Sequence, residues 1–196
     1  MRLPRRQPDA ELRPAFEALV SKHHAQLFRA AYRLAGNLDD AEDLLQEALL
    51  EAYQDFRRFH LGTRFDRWVL RIMTHTYIDR QRKRRVDTSW SLDSPPEGID
   101  TEYLVADGSG DPQRLIEAQR LEEPVQRALD SLSSEHRAVV VLSDIEGMSY
   151  EDIAATLHIP VGTVRSRLHR ARERMRQMLA PLLRHPGLRV DGHATG

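Results

Sequence analysis

No cysteine occurs in the 196 residues, which removes disulfides, thiol catalysis and cysteine zinc sites. No apolar run is long enough for a membrane span. The opening Met1-Arg2-Leu3-Pro4-Arg5-Arg6-Gln7-Pro8 is basic and leads into polar sequence rather than a signal-peptide core. A cytoplasmic protein without membrane insertion is the expectation. The chain also lacks an internal repeat and any alternating strand pattern. It shows no Ser-His-Asp set and no helically spaced histidines beside a carboxylate. No catalytic residue, metal site or cofactor is therefore expected, and the chain reads as a non-enzyme.

What is present is helical period and sorted charge. A composition of 40% hydrophobic and 30% charged residues is ordinary for a soluble globular protein. The length allows one or two domains with modest cores. The net charge of −1 hides alternating blocks. Residues 37–56 carry seven acids and no Lys or Arg, and residues 57–85 carry ten bases against two acids. Residues 86–113 return to seven acids without a base, and residues 159–196 have eight bases against two acids. Two basic surfaces separated by acidic ones point to two nucleic-acid contacts and a further partner.

The most specific local pattern runs from Ser149 to Arg172. Ser149 suits an N-cap, with Asp152 placed to answer it in the manner of a capping box. Ile153 and Leu157 share a face, and Ala154 and Ala155 permit close approach of a second helix. His158 to Pro160 breaks the period, and Pro160 suits the start of the next helix. From Val161 the stripe Val161, Val164, Leu168, Ala171, Met175, Met178 and Leu179 faces inward. Ser166, His169, Arg170, Glu173 and Gln177 lie opposite, flanked by Arg165 and Arg167. A capped helix, a three-residue turn and an arginine-rich helix predict a DNA-reading helix-turn-helix.

The N-terminal part, from about Ala10 to Arg85, holds three helical patterns. The first runs from Leu12 to Leu34, with Phe16, Leu19, Val20, His23, Leu27, Ala30, Ala31 and Leu34 as its core stripe and Gly36-Asn37 as its stop. His23 and the adjacent His24 point in different directions and suit core-edge and surface roles. The second opens at Asp39, with Glu42 three residues on. It buries Ala41, Leu44, Leu45, Ala48, Ala52 and Phe56 and presents Asp40, Asp43, Gln46, Glu47, Leu50 and Gln54. An acidic face containing an exposed leucine suits docking onto a basic surface. The third runs from Thr63 to Arg85, with Phe65, Trp68, Val69, Ile72 and Thr76 inward and Leu70, Thr74 and Tyr77 outward beside Arg67 and Gln81. Aromatic and basic side chains interleave along it and end in the cluster Arg80 to Arg85, a composition suited to unpaired bases and phosphates.

Three motifs in register carry a resemblance. They are Asp39-Asp40-Ala41-Glu42-Asp43-Leu44-Leu45-Gln46-Glu47, Phe65-Asp66-Arg67-Trp68-Val69-Leu70-Arg71-Ile72, and the pair Glu146 to Ala154 and Val161 to Arg167. In order and spacing, residues 12 to 183 resemble the bacterial extracytoplasmic-function sigma factors. The resemblance implies an all-α chain of two small helical domains joined by a flexible acidic linker, the C-terminal one a helix-turn-helix. The expected division is 10–85, linker 86–113, 114–183 and a disordered tail 184–196. It implies that core RNA polymerase is bound through Asp40, Asp43, Leu44, Gln46 and Glu47. Contact with the −10 promoter element falls to Arg64, Phe65, Arg67, Trp68, Arg71, His75, Tyr77, Arg80, Arg82 and Lys83. Thr163, Arg165, Ser166, Arg167, His169 and Arg170 are implied to read the −35 element. Such proteins are commonly held inactive by an anti-sigma factor, so a partner of that kind is implied as well.

Two positions depart from the family pattern. His75 stands where an Asn often helps to read a flipped −10 base, and His169 stands where a bulkier apolar or aromatic side chain can occur. The competing reading is a helix-turn-helix regulator acting at operators without being a polymerase subunit. It calls for a sensory or receiver pattern in the N-terminal half, and none is visible.

Overall fold

Helices α1 (Asp9–Ala35), α2 (Leu38–Asp55) and α3 (Phe65–Thr88) form the N-terminal half, with a 3-10 turn at Phe56–Arg58. The C-terminal half contains α4 (residues 123–130), α5 (Ser134–Val140), α6 (Tyr150–Leu157) and α7 (Val161–Leu183). The structure, a computed structural model, describes residues 9–88 and 123–183, among which there is no strand. The expected linker past Thr88, with Trp90, Leu92, Ile99, Tyr103 and Leu104, and the expected tail 184–196 lie outside the described residues.

Backbone chemistry sets the boundaries. Gly36 adopts φ +92°, a conformation costly for residues with a Cβ, and its N–H donates to the Tyr32 carbonyl at 2.8 Å to close α1. The next helix starts earlier than the Asp39–Glu42 pattern suggests. Asn37 is the cap: its side chain accepts from the Asp40 N–H at 2.8 Å and donates to Asp40 Oδ2 at 2.9 Å. An amide can do both at once, which neither candidate carboxylate can.

Within the N-terminal half the helices meet through small residues. Ala30, Ala31, Ala41, Ala48 and Ala52 are fully buried, letting the backbones approach closely around Leu27, Leu34 and Leu44. Phe16, Phe56, Phe59, Phe65 and Trp68 close one end as an aromatic cluster, with Phe59 and Trp68 ring centroids 4.9 Å apart.

The register of α3 differs from the sequence reading. Leu70, Thr74 and Tyr77, expected to face outward, are buried, while Trp68 and Ile72, expected inward, are only half-buried. The core stripe is Phe65, Val69, Leu70, Met73, Thr74 and Tyr77. Thr74 survives burial because its hydroxyl donates back to the Leu70 carbonyl at 2.7 Å. Threonine and tyrosine look polar in a sequence, yet Thr74 and Tyr77 are both buried here.

In the C-terminal half, Ser133 caps α5 and Ser149 caps α6, the latter accepting from the Asp152 N–H at 3.1 Å. The last turn of α5 widens into a π-type turn over Val141–Ile145. Leu129, Leu142, Ile153, Val164, Leu168 and Ala171 are its innermost side chains. The buried apolar residues of both halves form one connected cluster.

Candidate nucleic-acid interface

The turn between α6 and α7 fixes the reading helix. His158 takes φ 53°, a left-handed conformation that stops α6 without a glycine, and its N–H bonds the Ala154 carbonyl. Pro160 follows, and its carbonyl accepts from Thr163 and Val164 at 2.9 and 3.2 Å, opening α7. Val164, Leu168 and Ala171 lock α7 onto the core. That orientation leaves Arg165, Ser166, His169 and Arg170 exposed and Thr163 and Arg167 half-buried, so the six expected −35 residues share one helix start. Ser166 Oγ is turned back to the Thr163 carbonyl at 3.0 Å.

Beside this face lies a groove of about 300 Å³ lined by Tyr150, Arg165, Leu168, His169, Arg172, Glu173 and Arg176. Not every guanidinium in it is free for phosphates. Arg172 holds Asp144 in a two-pronged pair at 2.6 and 3.0 Å. Burial pushes the Asp144 carboxyl up, but the hydrogen bonds from Arg172 and Ser143 outweigh it and leave it below the usual carboxylate range. Arg176 is held by Glu173 at 2.8 Å. His136 sits behind Arg167 and Arg170, and burial, reinforced by those two cations, keeps its imidazole below the usual histidine range.

On α3 the expected −10 residues do not share one environment. Phe65 and Tyr77 are core residues, 1% and 4% exposed, so neither presents a ring to a base; this corrects the expectation for both. Trp68 is half-buried against Phe59. Arg64, Arg71, Arg82 and Lys83 are exposed, Arg64 gripping Asp66 at 2.6 and 2.9 Å. Arg67, Arg71 and His75, spaced four apart, line one side of the helix, and that side faces α6.

The acidic side of α2 is likewise divided. Asp43, Gln46 and Glu47 are exposed, and Leu50 adds an exposed apolar side chain. Leu44 is 1% exposed and belongs to the core, so it is not available for docking. Glu47 is paired with Arg80, and Asp40 with Arg84. Sequence reasoning had put the acids and these bases on separate surfaces. It also missed Asp144 and Asp152 as partners of Arg172 and Arg67, since sequence period carries no information about contacts between distant helices.

Among the described residues no group of three or more His, Asp or Glu side chains could hold a metal, and no helix is long and apolar enough to cross a membrane. Family models match both halves: Sigma-70 region 2 over residues 19–86 and Sigma-70, region 4 over residues 122–175. The chain is 36% identical over 172 residues to the ECF RNA polymerase sigma factor SigW of Bacillus subtilis, covering 86% of this chain and 90% of that one.

The chain belongs to the extracytoplasmic-function sigma factors.

This sigma factor is also 42% identical over 173 residues to the ECF RNA polymerase sigma factor SigE of Mycolicibacterium smegmatis. The match takes in 88% of the chain and 64% of that relative, so the sigma factor spans less than two thirds of SigE. Among solved structures it is similar to the sigma factor RpoE of Bartonella quintana, in complex with the anti-sigma factor NepR. The TM-score is 0.65 at 28% identity, covering 85% of this chain and 97% of that one. CnrH, solved with the cytosolic domain of CnrY, gives a TM-score of 0.56 at 27% identity over 86% of this chain and 90% of that one. The family assignment favours a polymerase subunit over a free-standing operator-binding regulator.

Proposed function

We propose that this sigma factor acts in the cytoplasm as a promoter-specificity subunit, not an enzyme, with its division of labour set by the surfaces described above. The outer side of α2, through Asp43, Gln46, Glu47 and Asp40, docks on core polymerase. The exposed cations of α3, Arg64, Arg71, Arg82 and Lys83, together with Arg67 and His75, meet the −10 element. Arg165, Ser166, His169 and Arg170, with Thr163 and Arg167 at their flanks, read the −35 element in the major groove. The observation that carries this reading is the exposed basic start of α7, held by a capped α6 and a three-residue turn.

Magnitudes explain why such a protein works as a subunit. An arginine paired bidentately with guanine contributes about 1–3 kcal/mol of discrimination. Each small domain has few such contacts, and tethering both to polymerase makes the second contact intramolecular. Because the similar sigma factor RpoE of Bartonella quintana was solved in complex with an anti-sigma factor, a protein of that kind is proposed as a further partner here. Arg165→Ala and Arg170→Ala in polymerase reconstituted with this subunit are expected to cut −35-dependent initiation while co-purification with core enzyme is kept. Unchanged initiation by the double variant refutes the α7 assignment.

A further inference from the structure

Arg165, His169, Arg172 and Arg176 follow one another along α7 at spacings of three and four, and all four line the groove beside the reading face. These basic side chains are not equivalent. Arg172 is held by Asp144 through Nε and Nη2, at 3.0 and 2.6 Å, and Arg176 by Glu173 through the same two nitrogens, at 3.1 and 2.8 Å. Arg165 and His169 are exposed and, among the described residues, make no hydrogen bond or ion pair. The groove thus sets two open basic side chains beside two that are already matched.

The acids nearby are occupied. Glu173 accepts from Arg176 and, at 3.1 Å, from Gln177, and its carboxyl lies below the usual range chiefly through the Arg176 hydrogen bond. Asp144 stands behind Arg172, and Tyr150, the first residue of α6, hydrogen-bonds Arg172 and lines the groove from that helix. What remains on offer is donors, so the fitting occupant is a group that only accepts. A DNA phosphate diester is such a group. A neutral imidazole has one N–H and one lone pair, whereas the imidazolium has two N–H groups and a charge. A phosphate has no proton to give and therefore selects the charged form, whose hydrogen bonds are about twice as strong as neutral ones. Imidazole is also the side chain that ordinarily changes charge between about pH 5 and 8, where arginine, tyrosine and carboxylates ordinarily do not. A second imidazole, His136 on α5, lies behind Arg167 and Arg170; burial and those cations keep it below the usual range.

We infer that this groove seats a backbone phosphate of the duplex and that His169 is its titrating donor, so that DNA binding by α7 takes up a proton. This rests on the reading of α7 as the −35 helix. A group whose charged form is favoured in the complex binds its proton more tightly there, so affinity rises as pH falls. Acidification therefore strengthens the α7 contact, and alkaline conditions loosen it. A single linked proton changes affinity by at most about tenfold per pH unit.

The test uses the full chain and a cyanine-labelled duplex of mixed sequence, read by anisotropy at about pH 6 and about pH 8 over a series of salt concentrations. His169→Gln supplies a neutral amide and His169→Lys a fixed charge. Circular dichroism at both pH values establishes that each variant is folded. Beyond the response of His169→Gln, in which every other histidine is kept, the parent is expected to gain about fivefold in affinity at the lower pH. Its salt slope is expected to steepen there by about 0.9, the value of one added phosphate contact. His169→Lys should hold the tighter affinity and steeper slope at both pH values. A His169→Gln variant that keeps the parent's whole pH response overturns the inference, as does a response that only His136→Gln removes. Loss of the response without any change in salt slope overturns the phosphate seat. Arg165→Ala with Arg170→Ala separates these failures from that of the α7 reading. Weakened duplex binding leaves that reading standing and condemns only the proton-linked seat, whereas unchanged binding condemns the reading itself.

Discussion

Asp40 Oδ1 and Arg84 Nη2 meet at 2.6 Å, tying the first turn of α2 to the basic end of α3. Glu47 and Arg80 make a second tie one face-repeat further along. The acidic side of one helix and the basic side of the next therefore neutralise each other in part before any partner arrives. Exposed pairs of this kind contribute only about 0–1 kcal/mol, so a charged partner can displace them at little cost.

The Asp40 carboxyl lies below the usual carboxylate range, chiefly through the Arg84 hydrogen bond, with burial opposing and Asn37 assisting. A carboxylate whose folded-state value is depressed contributes stability above its unfolded value, near pH 4, and loses it as pH falls through the folded value. Asp40→Asn is expected to melt slightly below the parent at neutral pH, by the equivalent of about 1 kcal/mol or less given the exposure of Arg84. The gap closes under strongly acidic conditions. Thermal melts across that range check the sign.

Phe65→Ala is expected to act through folding. The ring is 1% exposed and lies 5.6 to 6.4 Å, centroid to centroid, from Phe16, Phe56, Phe59 and Trp68. Truncating such a side chain costs about 3–5 kcal/mol. A denaturant midpoint well below the parent's is the expected outcome. A normal midpoint with defective promoter opening would instead place Phe65 on the DNA.

Gly36→Ala is expected to destabilise by two separable routes. One is the backbone, because φ is +92°; the other is the approach to Asp130 at 2.7 Å. Asp130→Ala removes the second obstacle and leaves the first. A double-mutant cycle in urea should therefore show Gly36→Ala costing less on the Asp130→Ala background. Simple additivity would mean that the two sites do not touch in solution.

Glu146→Gln is expected to raise the melting temperature at neutral pH. Burial pushes the Glu146 carboxyl above its usual range, although the hydrogen bond from Gln26 and the charge of Arg29 pull against it. A raised folded-state value means its contribution is fully present below the unfolded value and is lost as pH rises through the folded one. The uncharged variant avoids that loss, so its advantage should shrink as pH falls towards about 4. An advantage that grows on acidification contradicts the burial argument.

Much of the fold was legible in the sequence because its signals are local. Ser149 as a cap, Pro160 at a helix start and Gly36 at a helix end are choices made within one turn of chain. The inward stripe of α7 is legible at Val164, Leu168 and Ala171 because that part of the helix is amphipathic in the ordinary way. The failures fall mainly on α3, where Leu70, Thr74 and Tyr77 are inside although the pattern puts them outside, while Met178, expected on the inward stripe of α7, is exposed. Helix α3 is covered on more than one side, so its apolar arc is too wide for a single stripe to locate. Leu44, Phe65 and Tyr77 were drawn into candidate sites by family position, and burial removes their side chains from contact with a partner.

Residue order along the chain was enough to establish the cap at Ser149, the helix start at Pro160, the helix end at Gly36, the helix-turn-helix, and the alternation of acidic and basic blocks, all of which depend on neighbours within a few residues. Tertiary structure alone decided that Arg84 meets Asp40, that Arg137 reaches the end of α1, and that Asp152, Thr156 and His158 stand on Arg67, His75 and Arg71. Those pairings join residues tens of positions apart, and no local energy selects them. They arise when two helical units bury a shared apolar surface and their polar groups must find partners along the edge.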